Sequence, residues 1–309
     1  MMNKVVELPR DVSLRVHDRA MLDADSVEEA GKYLRTFGVT DEHIQFLAGI
    51  GGLPKLRELY FQAIRFDLER GTKTTEFIPE AEMQRDAREH PKHFAGPADS
   101  VKDGVKHRPS LTSVIRRGID SAIEILRDKY GIDPSDASFF DLGTGTGKPL
   151  IIAGQDYDFA QATGIDYNKP LVSKARKNLR AAGLDTRSDI RAMFANASEF
   201  RRFNGTNVVF MYNPFLKPVM TEVEKNLRKN GGKTIVVYNK PLFEGLFSEK
   251  KGWRIEGRFT VGDRGEKTFD ADHELLIVSR GFDRHEINNP TPSGEVKSPV
   301  SAPPELVSN

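Results

Sequence analysis

An aspartate followed by three alternate glycines stands near the middle of the chain, in FFDLGTGTGKPLIIA at residues 139–153. Glycines at this spacing let the backbone approach a ligand closely and enter conformations that other residues avoid. A turn of this kind that opens a helix also offers free N–H groups to an anion. The chemistry in view is therefore the holding of a charged cofactor, and three ligands compete: a nucleotide phosphate, a dinucleotide pyrophosphate, and the methionine end of S-adenosylmethionine (SAM). A phosphate loop needs Gly, four residues, then Gly-Lys followed by Ser or Thr. Gly147-Lys148 supplies the last pair, but Leu142 stands where the first glycine belongs and Pro149 where the hydroxyl belongs. A dinucleotide fingerprint reads G-x-G-x-x-G. Here the third glycine comes one residue early, as Gly143-x-Gly145-x-Gly147, which weakens that reading and leaves it open.

D-L-G-T-G-T-G resembles the first motif of the class I, Rossmann-like SAM-dependent methyltransferases, an acidic residue followed by G-x-G-x-G at a strand-to-helix turn. The resemblance implies that Asp141, Gly143, Thr144, Gly145 and Gly147 bind SAM. The physics suits that ligand, because a helix N-terminus favours its carboxylate and Asp141 can oppose its ammonium group. Further along, Asp166 closes the stretch TGID, where the family places an acid that hydrogen-bonds the ribose hydroxyls. A solvated turn aspartate is the alternative. Asn196 and Ala197, in MFANASEF, match the family's adenine contact, and a helix-capping asparagine explains Asn196 nearly as well.

Tyr212-Asn213-Pro214-Phe215 ends a fourth apolar run, VVFMYNPF. Asn213-Pro214-Phe215 resembles the N-P-P-Y/F motif of amino-group methyltransferases, shortened by one proline. The same stretch, with VVYNKP later, is similar to bacterial relatives of the histone-lysine methyltransferases that lack a SET domain. Both resemblances imply transfer to nitrogen. The Asn213 side-chain oxygen and the Pro214 carbonyl would accept hydrogen bonds from the target amine, and Phe215 would wall the acceptor. Tyr212 and Phe215 would add cation–π stabilisation of the sulfonium. A strand-ending turn with a buried aromatic is the plainer alternative. His90, His93 and His107 fall in a polar stretch and pose two further options, metal ligands or a lid histidine acting as general base. The first lacks acids at ligand spacing. Tyr238 and Asn239 close a fifth strand near the cleft's edge, His273 begins the last strand in a structural role, and Trp253 reads as core.

The elements that must position these residues are legible from periodicity. Residues 110–280 alternate strand and helix: a helix capped by Pro109-Ser110, the strand SFFDL, the glycine loop and its helix, the strand ATGID, and the helix NKPLVSKARKNLRAAG ending at Gly183. Further strands follow in DIRAMF, NVVFMY, KTIVVY, WRIEGRFTV and HELLIVS, the central ones apolar enough to be covered on both faces. Repeated βαβ units predict a doubly wound, mostly parallel α/β sheet of seven strands. Only the polar segment GDRGEKTFDAD joins the last two strands, which predicts an antiparallel C-terminal hairpin. Residues 1–107 read as a mainly helical lobe with a linker or lid, carrying helices over DSVEEAGKYLRTFG, DEHIQFLAGIG and LPKLRELYFQAIRFDLERG. Residues 108–281 form the expected SAM-dependent methyltransferase domain, and 282–309, rich in Pro and Ser, a disordered tail.

At 309 residues the chain has ample length for two lobes and a sizeable core. Forty-six Lys and Arg against 45 Asp and Glu give a net charge of +1, so no overall field draws it to nucleic acid or to an anionic membrane. With no cysteine there is no disulfide framework, thiolate metal site or cysteine nucleophile. A charged N-terminus and the lack of a long apolar run predict a soluble, cytoplasmic protein, and the lack of cysteines and of acids at ligand spacing predicts no metal site. The reading is a SAM-dependent enzyme that N-methylates a protein side chain or a small molecule. Its rivals are a non-catalytic SAM-binding module and a nicotinamide-dependent oxidoreductase.

Overall fold

The computed structural model describes residues 16–37, 39–96, 107–260 and 273–282. The polar segment between the last two strands and the tail from residue 283 lie outside the described residues. A single seven-stranded sheet organises the chain: β1 (Ala137–Leu142), β2 (Gln161–Asp166), β3 (Ile190–Phe194), β4 (Thr206–Tyr212), β5 (Lys233–Asn239), β6 (Arg254–Thr260) and β7 (Glu274–Arg280). Their order is β3-β2-β1-β4-β5-β7-β6. The first five run parallel, and β7 pairs antiparallel with both β5 and β6. The sequence predicts the seven strands and the antiparallel pair. The insertion of β7 between β5 and β6 is added by the structure.

Alternation along the strands divides the core. Phe139, Val208, Phe210, Ile235, Val237, Leu275 and Ile277 face one cluster. Their neighbours Phe140, Leu142, Val209, Met211, Val236, Tyr238, Leu276 and Val278 face the other. The first face is covered by α5 (Thr112–Glu124), α6 (Lys148–Asp156) and α7 (Lys169–Ala181); the second receives α8 (Lys217–Asn230), Trp253 and Phe247. With both faces covered, β1 is buried throughout and β4 and β5 are buried but for the ends of β4 and the first residue of β5, as their apolar runs require.

The N-terminal helices are α1 (Val16–Leu22), α2 (Val27–Thr36), α3 (Asp41–Arg70) and α4 (Glu80–Glu89). Ser26 caps α2 by accepting from the Glu29 N–H, and Thr40 caps α3 in the same way. The two helices expected in 41–70 are there: the helical run breaks at Gly52, with φ +61° and ψ −157°, and Pro54 opens the second part. Ile44, Leu47, Leu56, Tyr60 and Ile64 then merge with the first core cluster, so the lobe shares its core with the sheet domain. Helix α4 carries no periodic signal in the sequence because Met83 is its one buried residue. The cap expected at Pro109-Ser110 is displaced. Helix α5 starts at Thr112 with Leu111 as its N-cap and no side-chain capping bond, while the Ser110 carbonyl is taken by the Lys148 ammonium at 3.0 Å.

Candidate active site

Register brings the candidate residues together. Leu142 pairs with Ile165 on one side and Met211 on the other, and Tyr212 pairs with Asn239, so β1, β2, β4 and β5 end at one level. The strand order reverses between β1 and β4, the crevice where doubly wound sheets bind ligands. A cavity of about 250 Å3 opens there.

The glycine loop leaves β1 by a hydrogen-bonded turn. Gly143 and Thr144 both donate to the Ile165 carbonyl, and Gly145 donates to Asp166 Oδ2 at 2.8 Å. Gly143 and Gly145 lie at φ +83° and +53°, where a side chain is strained. Each is also overlaid: a Cβ on Gly143 would sit 2.5 Å from Pro214 Cβ, and one on Gly145 would sit 2.2 Å from His107 Cε1. The glycines thus let Pro214 and His107 pack directly on the loop.

Asp141 and Asp166 are both buried beside this loop. Burial pushes the Asp141 carboxyl up to about 7; the Thr144 hydroxyl works against this and the charge of Asp166 adds to it. Burial likewise raises Asp166 to about 6, opposed by backbone N–H groups of Asn168, Gly145 and Tyr167. Such a pair of raised carboxyls in a cleft marks a site built for a cationic or multiply donating ligand.

On the β4 side, Asn213 adopts φ +36°, and Lys240, just past β5, adopts φ +52°. They are the two non-glycine residues in that region among the described residues, and both line the cavity. A left-handed backbone costs of order 1–3 kcal/mol and gathers at functional sites, Asn tolerating it best. The Tyr238 hydroxyl donates to Asn213 Oδ1 at 3.3 Å and fixes the carboxamide. Phe215 is buried in the second core cluster with its ring on the wall, and Tyr212 completes that wall.

The helical lobe closes the opposite side. Asp67, near the end of α3, accepts from the hydroxyls of Thr72, Thr74 and Thr75 and from the N–H groups of Thr74 and Thr75. This organises the segment 72–75, which is bonded to the loop: Thr146 donates to the Thr74 carbonyl, and Asn178 of α7 bridges Lys73 and Thr146. Lys148, which the sequence offers as a phosphate-loop lysine, turns to the Ser110 carbonyl and to the Phe66 ring. Its charge helps hold Asp67 below the usual carboxylate range against the opposing effect of burial. His107 pairs in backbone with Ile78 and lays its ring on Gly145; burial lowers it to about 4, so the imidazole is neutral near pH 7.

The sequence profile of a family described as a methyltransferase domain matches residues 133–263. The cofactor is SAM, and the protein is an enzyme. No curated protein matches the chain. Among solved structures, an RNA methyltransferase of Salinibacter ruber in complex with S-adenosylhomocysteine is similar at 20% identity and TM-score 0.41, over 59% of this chain and 99% of that one. A ribosomal protein L11 methylase of Lactobacillus delbrueckii subsp. bulgaricus is similar at 15% identity and TM-score 0.37, over 54% of this chain and 77% of that one.

The methyltransferase domain's own residues fit SAM. Asp141 Oδ2 is buried on the cavity wall with the Thr144 hydroxyl beside it, and the two oxygens can present acceptors to an ammonium group. Of the residues singled out from the sequence, His107, Asp141, Gly143, Thr144, Asp166, Tyr212, Asn213, Pro214 and Phe215 line the cavity. Gly145 and Gly147 shape the loop behind it. Asn196 and Ala197 lie off its wall, beside Asp166: Ala195 donates to the Asp166 carbonyl, and Asn196 Oδ1 accepts from the N–H and hydroxyl of Ser198.

Among the histidines, His93 pairs with Asp86 at 3.1 Å, and no group of metal-ligating residues forms among the described residues. His273 is buried against Asn239 and the Tyr212 ring, and Trp253 is buried with its indole N–H on Glu224. The sequence does not single out Arg108, Lys240, Thr74, Glu80 or Met83 as walls of the cavity: Arg108 lies in a polar linker and Lys240 in the turn past β5, where no periodicity marks them. No helix among the described residues is long and apolar enough to cross a membrane.

Proposed function

We propose that the enzyme transfers the methyl group of SAM to an amine nitrogen, on a protein side chain or a small molecule. The observation that carries this is Asn213: a left-handed asparagine at the end of β4, its carboxamide oxygen anchored by Tyr238. A carbonyl oxygen accepts two hydrogen bonds, so Oδ1 keeps one lone pair for an acceptor N–H. With the Pro214 carbonyl beside it, Asn213 orients the nitrogen lone pair, and Phe215 and Tyr212 form the apolar wall. Such positioning supplies much of the acceleration in a displacement reaction. Asp141 and Thr144 receive the ammonium of SAM, Gly143, Gly145 and Gly147 shape the loop that cradles it, Asp166 takes the ribose hydroxyls, and Asn196 and Ala197 serve the adenine edge. SAM supplies the electrophilic methyl group.

Asn213→Ala tests the reading by separating rate from cofactor binding. The expected result is a kcat reduced about 10- to 100-fold, worth about 1.4–2.8 kcal/mol, with SAM affinity within twofold of wild type. An unchanged kcat overturns the assignment. A wild-type protein that binds SAM and transfers no methyl group to any acceptor is a binding module.

A further inference from the structure

The acceptor end of the cavity holds more donors than an amine can use. Among the described residues, Arg108 Nε is a buried donor with no hydrogen-bond partner, the Arg108 side chain reaches the buried Tyr212 hydroxyl beside it, and both residues line the cavity. A buried donor left unpaired is costly, so the open Nε of a guanidinium on this wall points to a ligand that accepts. Lys240, on a left-handed backbone past β5, brings a second cationic side chain to the same wall. The carboxylates on the wall, Glu80, Asp141 and Asp166, sit with the glycine loop and the β2 side. There Met83, one turn after Glu80, packs on Leu171 and Tyr167. Apart from Lys148, which is held by the Ser110 carbonyl and the Phe66 ring, charge is divided: acids at the cofactor end, cations by β4 and β5. His273 reports the same field. It is driven to about 3 by burial, then by the charges of Lys240 and Arg108.

We infer that the acceptor carries an oxyanion, a carboxylate or a phosphate, which Arg108, Tyr212 and Lys240 bind at the β4–β5 end of the cavity while Asn213 holds its nucleophilic nitrogen. This rests on the methyl-transfer reading above. A guanidinium and a phenol hydroxyl together match the planar donor pattern an oxyanion accepts, and the same cations disfavour an acceptor that is itself positively charged at that end. The substrate class is thereby narrowed to amines that also bear an acidic group.

The test uses the full-length enzyme, labelled SAM and matched acceptor sets. These are amines and phenols, each with a carboxylate, with a phosphate, and with neither. Transfer confined to acidic members supports the inference, and the carboxylate and phosphate arms tell the two sources apart. A neutral acceptor turned over as well as its acidic twin overturns it. Transfer to acidic phenols and to no amine defeats the nitrogen assignment and leaves the oxyanion site standing. Arg108→Ala should raise KM for the acidic acceptor at least tenfold while S-adenosylhomocysteine binds as before, with Arg108→Lys restoring part of the loss. If Arg108→Ala instead weakens S-adenosylhomocysteine and spares methylthioadenosine, which lacks the amino-acid part, the bound carboxylate is the cofactor's and the inference fails. Retained methylthioadenosine binding also shows that the variant is folded.

Discussion

Substituting Gly145 by alanine isolates the contact that couples the lobe to the cofactor loop. The backbone there has φ +53°, and the new Cβ would lie 2.2 Å from His107 Cε1 and 2.6 Å from its Nδ1. The left-handed conformation costs an alanine about 1–2 kcal/mol, and forcing a methyl into a packed ring costs about 1–3 kcal/mol. Gly145→Ala should therefore lose about 2–5 kcal/mol in all. Urea unfolding of wild type, Gly145→Ala, His107→Ala and the double variant measures both parts at once. Removing the imidazole relieves the clash and leaves the backbone strain, so the cycle should show a coupling of about 1–3 kcal/mol. A loss below about 1 kcal/mol for the single variant, or an equal loss in the His107→Ala background, would refute the packing of His107 on the loop.

Two further outcomes follow from the acidic pair. Asp166→Ala should weaken SAM binding by about 1–3 kcal/mol through lost charge-assisted hydrogen bonds, read by calorimetry; unchanged affinity would remove Asp166 from the ribose site. Asp141 and Asp166 have pKa values raised on folding, to about 7 and about 6, so the folded protein binds more protons than the unfolded chain from about pH 4 upward. Their contribution to cofactor-free stability is present at acid pH and declines as pH rises towards 7. An ammonium placed on Asp141 reverses the preference, so SAM binding should release protons and tighten by up to about tenfold per pH unit between pH 6 and 7. Calorimetry in buffers of different ionisation enthalpy counts those protons, and a pH-independent affinity would contradict the ammonium contact.

Much of the catalytic frame is legible because strands and their turns are local. The run SFFDL, the glycine spacing and the position of Asp166 each show in a few neighbouring residues, and register then brings Leu142, Ile165 and Met211 level. What escapes the sequence is set by contacts far apart in the chain. Thr74 and Thr146 are 72 residues apart, and Lys73 and Asn178 are 105 apart. Lys148 lies beside the loop in sequence and spends its charge on the lobe. Arg108 sits in a polar linker with no pattern to betray it, and α4 shows no stripe because it buries one side chain. The glycines themselves were legible as a loop for a ligand; that they also admit Pro214 and His107 was not.

Calorimetric titration of the purified protein with SAM, S-adenosylhomocysteine, NAD and NADP tests the central claim most directly. Micromolar binding of the first two, with no heat from the dinucleotides, is the predicted result. Binding of NAD or NADP with none of SAM would contradict it and make the Gly143–Gly147 loop a pyrophosphate cradle.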